Sequence, residues 1–248
     1  MSSNNKLNLY IQPAYNCKTK NIEYAEILIR GFMGSNSVPK ILKFIEVNKL
    51  ESQFDLDILS ETLRIINHYE KLEYPIGINL CPNTIKEDGI ADKIIQIINE
   101  NNKSCNEIII EVNEKTEFKD KIVRKNMKKL RDNNIKIALD DFGVEGANLY
   151  TLLECNLDII KVDKAFIDRT DVEYEESQYK ILRRLLQLCN DFNLKHIVEG
   201  IETTKQLKNL ENIGYTVIQG YLYKKPLPLI EFLSTEANRK DIQQYESI

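Results

Sequence analysis

Histidine is scarce in this chain of 248 residues: only His68 and His196 are present. They form neither HExxH nor any local ligand pair, which argues against histidine-rich zinc or iron sites. No GxSxG is present to support a Ser-His-Asp triad through His196. The cysteines (Cys17, Cys81, Cys105, Cys155 and Cys189) are odd in number, widely spaced and without CxxC. That pattern reads as reduced thiols, not a disulfide framework or a zinc-thiolate centre. With nine glycines and six prolines there is no Pro/Gly/Ser-rich linker, so 1–248 is read as one domain. No stretch approaches the apolar length of a membrane span, and none of the expected partners is a membrane. The start, MSSNNKLNLY, lacks a cationic region followed by an apolar core, so the expectation is a cytoplasmic protein. A net charge of −4 gives no footprint for a nucleic-acid polymer. The basic run Arg124 to Arg131 carries Met127 and Leu130 at helical spacing from Val123, the mark of a solvated helix face.

Short apolar runs alternate with longer segments of helical period. Strands are predicted near 7–12, 23–31, 76–80, 107–112, 136–140, 157–162, 195–198 and 215–218. Helices are predicted near 39–47, 53–69, 84–100, 118–133, 147–154, 175–191, 203–212 and 229–237, the last opening a C-terminal helical tail over 229–248. The first two strands are joined too closely for a crossover helix, so they form an antiparallel pair. Thereafter strand and helix alternate. The fold class is α/β, a (β/α)8 TIM-type barrel with an antiparallel first strand pair; a doubly wound open sheet is the alternative.

The run KIALDDFG, 136–143, ends an apolar strand on two adjacent carboxylates, Asp140 and Asp141. Like charges that close repel and lose hydration on burial, so a cation, solvent or a shared proton must offset the cost. The same strand-end position carries Asn79, Glu111, Lys161, Glu199 and Gln219 on the neighbouring strands. Six consecutive strands thus deliver polar groups to the carboxyl-end rim where barrel active sites are built. Carboxylates and a carboxamide without histidine or thiolate suit Mg2+ or Mn2+. Neighbouring aspartates can serve two ions about 3.5–4 Å apart, as in phosphoryl displacement. On residues alone the reading is metal-assisted hydrolysis of a phosphate ester.

Nine short motifs then occur in order: IQP ending at Pro13, EILIR at 26–30, NLC at 79–81, EVNE at 111–114, DDFG at 140–143, KVD at 161–163, EGIE at 199–202, QGY at 219–221 and KPLP at 225–228, with Ile27 inside the second. Together they resemble the EAL-domain cyclic-di-GMP phosphodiesterases over about 7–228.

The resemblance implies hydrolysis of cyclic di-GMP to linear 5′-pGpG with two Mg2+ or Mn2+ ions per site, in a homodimer. It implies that Glu26, Asn79, Glu111 and Asp140 hold the first ion, and that Asp140 with Asp141 holds the second. Lys161 would contact the attacking water, Glu199 would be the general base, and Gln219 would support the water network. Gln12 and Arg30 would contact substrate, the arginine near a phosphate. Glu114 would anchor the loop after Asp141, while Glu202 and Asp163 would steady their neighbours. The chain departs from the family at VEGAN, 144–148, where a TGYSS-like loop is usual; Glu145 there is expected to tune the second ion modestly. The alternative function is a catalytically silent EAL module acting as a cyclic-di-GMP receptor or scaffold.

Overall fold

The runs IGIN, IIIEVN and IIKV are almost wholly buried. Such near-continuous apolar strands belong to a parallel sheet covered on both faces. The computed structural model describes residues 7–31, 37–69, 72–144, 152, 155–167 and 172–235. Strands β1 (Asn8–Asn16) and β2 (Ile22–Gly31) form an antiparallel hairpin. Strands β3 (Ile76–Asn79), β4 (Ile108–Asn113), β5 (Lys136–Phe142), β6 (Ile159–Val162), β7 (Lys195–Val198) and β8 (Val217–Gln219) follow, each parallel to the one before. Strand β8 then pairs antiparallel with β1, so the sheet closes into an eight-stranded barrel. The barrel forms as expected, and β1 opposes both of its neighbours.

Helices Val38–Val47, Glu51–Ile66, Ile90–Glu100, Lys121–Asp132, Val172–Asp191 and Thr204–Ile213 wrap the outside, with a further helix over 229–235. Their starts are written locally. Asp120 Oδ1 accepts from the backbone N–H of Ile122 at 2.6 Å, and Thr203 with Gln206 forms a capping box. The basic run lies on the Lys121–Asp132 helix, which buries Val123, Met127 and Leu130 and turns its lysines outward, as the spacing predicts. The expected helix near 147–154 falls outside the described residues apart from Leu152.

Several boundaries move for physical reasons. Strand β1 was expected to stop at Gln12, before Pro13, yet it runs on to Asn16. A short strand β9 (Leu227–Pro228) pairs with Tyr10 and Ile11, and β8 pairs with Ala14 to Asn16. Pro13 falls in the gap between them, where a missing N–H costs no ladder bond. The helix expected from 84 begins at Ile90. Thr84 is instead held in a turn by its hydroxyl, which donates to Asp55 at 2.5 Å. Strand β5 reaches Phe142, but its pairing with β6 is interrupted between Leu139 and Phe142.

The barrel interior is divided into two layers by the period of 2. Below lie Ala14, Tyr24, Ile109, Ala138, Ile159, Ile197 and Val217. Two residues along each strand toward the rim stand Gln12, Glu26, Glu111, Asp140, Lys161, Glu199 and Gln219. Each strand therefore switches from apolar to polar at one level. The larger core lies outside the barrel, between sheet and helices.

Candidate active site

Lys161 is at the centre of the upper layer and is 1% exposed. Its ammonium donates to Glu111 Oε2 at 2.5 Å and to Glu26 Oε2 at 3.2 Å. Asp140 Oδ1 lies 2.8 Å away and Glu199 Oε1 2.9 Å. Glu26 also accepts from Asn79 Nδ2 at 2.8 Å and from Gln219 Nε2 at 3.1 Å. Carboxylate oxygens of Glu26, Glu111 and Asp140 lie within 4.8 Å of one another, as do those of Asp140, Asp141 and Glu199. Two unit charges at about 4 Å repel by roughly 4 kcal/mol at an effective dielectric constant near 20. One ammonium cannot offset five carboxylates at such spacing.

Proton affinities follow from this crowding. Burial pushes Glu111 up to about 7, with Lys161 pulling it back and Asp140 pushing it further. Burial also lifts Glu199 well above the usual carboxylate range, against the pull of Lys161. Asp141 is exposed at the rim but loses part of its hydration against the cluster; that loss, then Asp140, raises it to about 6. Burial disfavours the Lys161 ammonium, yet Asp140, Glu111, Glu199 and Glu26 outweigh it and hold the lysine charged.

The turn that separates the two aspartates is backbone-driven. Asp141 has φ +54° and Gly143 φ +95°, so consecutive side chains leave the strand in different directions. A side chain at Gly143 would meet the Phe166 ring. Glu114 Oε1 accepts from the Gly143 N–H, tying the end of β4 to this turn. Of the altered loop, residues 145–148, including Glu145, lie outside the described residues.

Other expected site residues stand farther out. Gln12 is buried, and its amide donates to the Lys224 carbonyl at 3.1 Å. Arg30 is exposed and donates to the carbonyl of Ile29 at 3.1 Å. It borders a groove of about 720 Å³ that reaches Asp140 and Asp141 and has Leu42, Phe54 and Ile58 along its apolar wall. Asp163 caps a short 3₁₀ turn by accepting from the Ala165 N–H at 2.7 Å. Glu202 is exposed, beyond the ring.

Asp55 had no part in the sequence reading. It is 2% exposed on the Glu51–Ile66 helix and accepts from the Cys81 N–H at 2.7 Å, the Cys81 thiol at 3.4 Å and the Thr84 hydroxyl. These bonds fix the loop that follows Asn79. Burial and then Asp55 push the Cys81 thiol up, which leaves it a poor nucleophile. His196 packs edge-on against Tyr215, with ring centroids 5.1 Å apart, and neither of its nitrogens has a hydrogen-bond partner.

Comparison with known proteins places this geometry. The model of the EAL domain matches residues 1–226. The chain belongs to the EAL domain family. A relative named probable cyclic di-GMP phosphodiesterase PdeA, from Escherichia coli (strain K12), is 31% identical over 228 residues, covering 90% of this chain and 31% of that protein. The chain spans about a third of the length of the curated relatives it matches first. Among solved structures, the PaMucR phosphodiesterase in its c-di-GMP complex is 25% identical with a TM-score of 0.80, covering 90% of this chain and 97% of that one. An EAL domain protein from Listeria monocytogenes EGD-e is 25% identical with a TM-score of 0.78, covering 92% of each chain.

The donor set of this EAL barrel suits a hard divalent cation. All of its donors are oxygens, and Gln219 Oε1 is buried without a hydrogen-bond partner. Asp140 belongs to both carboxylate groups. No described helix is long and apolar enough to cross a membrane.

Proposed function

We propose that this EAL domain hydrolyses one phosphodiester of cyclic di-GMP to linear 5′-pGpG. The observation that carries the reading is the buried lysine held by four carboxylates, with Asp141 beside them, on the strand ends that match the family's motifs. Glu26, Asn79, Glu111 and Asp140 would hold one divalent ion, and Asp140 with Asp141 a second, as Mg2+ or Mn2+. When bound, such ions supply positive charge against the developing negative charge of the phosphoryl group and make a nearby water more acidic.

The chain's own groups divide the remaining work. Glu199 is the proton acceptor, and its burial raises its affinity for a proton. Lys161, held charged, is an electrostatic and orienting group and not a base. Gln219 orients water through its carboxamide. Arg30 borders the groove and suits a phosphate, and the apolar wall beside it suits a planar base. Gln12 contacts substrate from β1. Glu114 steadies the turn after Asp141, while Asp163 and Glu202 support the loops after β6 and β7. A cytoplasmic homodimer completes the reading.

The deciding experiment is incubation of purified protein with cyclic di-GMP and Mn2+, followed by chromatography for pGpG. Binding of the dinucleotide without turnover would replace the hydrolase by a receptor. Light scattering of the same sample tests the dimer.

A further inference from the structure

We propose that Tyr24 is a positioning residue for Glu111, its phenol hydroxyl standing close enough to Glu111 Oε1 to donate to it after a small shift of either side chain. Tyr24 lies on β2, two residues before Glu26 and opposite Ala14, in the apolar lower layer of the barrel. It is 3% exposed, and its hydroxyl is buried without a hydrogen-bond partner. Glu111 Oε1, on β4, is likewise buried and unpartnered, while its sister oxygen Oε2 accepts from Lys161.

Gly77 on β3, between those strands, brings the two oxygens together. A Cβ built there would stand 1.9 Å from the Tyr24 hydroxyl oxygen and 2.0 Å from Glu111 Oε1, so those atoms lie less than 4 Å apart. The same Cβ would stand 2.6 Å from Tyr24 Cε2. Both side chains therefore occupy space that any other residue at 77 would fill. Gly77 is not in the left-handed region, so its lack of a side chain serves space and not backbone conformation. A phenylalanine at 24 would fill the layer equally well and bury no polar atom. The hydroxyl gains a purpose only from the carboxylate above it, to which a phenol is a good donor. A donor fixed from below sets the plane of the Glu111 carboxylate and leaves Oε2 facing the ring. Groups that orient a metal-holding side chain in this way affect affinity nearly as strongly as the ligands.

The inference rests on the metal-holding role of Glu111 proposed above, and the test separates the two. Mn2+ alone, without nucleotide, is titrated calorimetrically into the parent, Tyr24→Phe, Asp140→Asn and Ile197→Val, and the metal-free proteins are melted. Tyr24→Phe is expected to stay folded and to bind Mn2+ about tenfold more weakly, the lower end for loss of such support. Ile197→Val thins the same apolar layer beneath a different residue; it should lower the melting temperature and leave Mn2+ affinity unchanged. Equal Mn2+ affinity in the parent and Tyr24→Phe overturns the role of Tyr24 and leaves the site reading standing. An equal loss in Tyr24→Phe and Ile197→Val reduces Tyr24 to packing and also overturns it. A parent that binds no Mn2+, or an Asp140→Asn variant that binds as well as the parent, overturns the site reading and Tyr24 with it.

Discussion

Lys161 Nζ and Glu111 Oε2 form the most deeply buried ion pair of the site, 2.5 Å apart with side-chain exposures of 1% and 0%. Glu26, Asp140 and Glu199 share the same ammonium. Lys161→Met should therefore cost more than a single pair: breaking a buried pair by removing one partner costs about 3–5 kcal/mol. The carboxylates can recover part of this by taking up protons, so the loss should be larger at pH 8 than at pH 5.5. Urea unfolding of the metal-free variant at both values measures it. An unfolding free energy matching the parent at pH 8 would mean the lysine is not the counter-charge of this cluster.

Asp140→Asn should abolish turnover without harming the fold. Asp140 raises the proton affinity of Glu111, Asp141 and Glu199 by repulsion, so neutralising it relieves the metal-free protein. The expected melting temperature is level with the parent or higher. Marked thermal destabilisation of the metal-free variant would instead give Asp140 a structural role.

Glu199→Gln keeps the size and hydrogen-bonding capacity of the side chain but cannot accept the proton. Turnover should fall by roughly 10²–10⁴-fold, the usual contribution of a positioned acid or base, while cyclic di-GMP still binds. Kinetics at saturating substrate beside equilibrium binding separate the two effects. Near-parent turnover would remove Glu199 from the proton-acceptor role.

Asp55 gives a pH dependence away from the ring. Burial, opposed by the bonds from Thr84 and Cys81, raises its carboxyl to about 7, against roughly 3.9 in an unfolded chain. Between those values the folded protein keeps the proton and the unfolded chain has lost it. The contribution of Asp55 to stability is therefore fully present below about pH 4 and declines as pH rises toward 7. Asp55→Asn cannot ionise and retains one oxygen for the Cys81 N–H and the Thr84 hydroxyl. Its gain over the parent should grow from pH 5 to 7.5, reaching on the order of 2 kcal/mol. A constant difference across that range, read from urea midpoints, would show that Asp55 does not titrate there.

The strand ends were legible because each lies at the close of a short apolar run, and a period of 2 carries Glu111, Asp140, Lys161 and Glu199 to the same side of the wall. Pro13 misled the reading of β1, since its tolerance depends on where β8 and β9 leave a gap. Asp55 was missed because a carboxylate on a helix usually faces water. A signal existed: Asp55 heads a stripe completed by Leu59, Thr62 and Ile66, all buried. Tyr24 and Gly77 gave no comparable sign. An aromatic in a strand reads as core, and the vacancy it fills belongs to another strand.

The reversed course of β1 has a geometric consequence for attachment. In a wholly parallel barrel the first strand enters from the face opposite the reaction, a strand length of roughly 17–20 Å away. Here Asn8 pairs with Gly31, the last residue of β2, so the described chain enters at the carboxylate rim itself. Anything joined ahead of Leu7 starts on the face that carries the carboxylates. It is a doorway position, on the side of the wall that carries the groove and not a wall's height away from it.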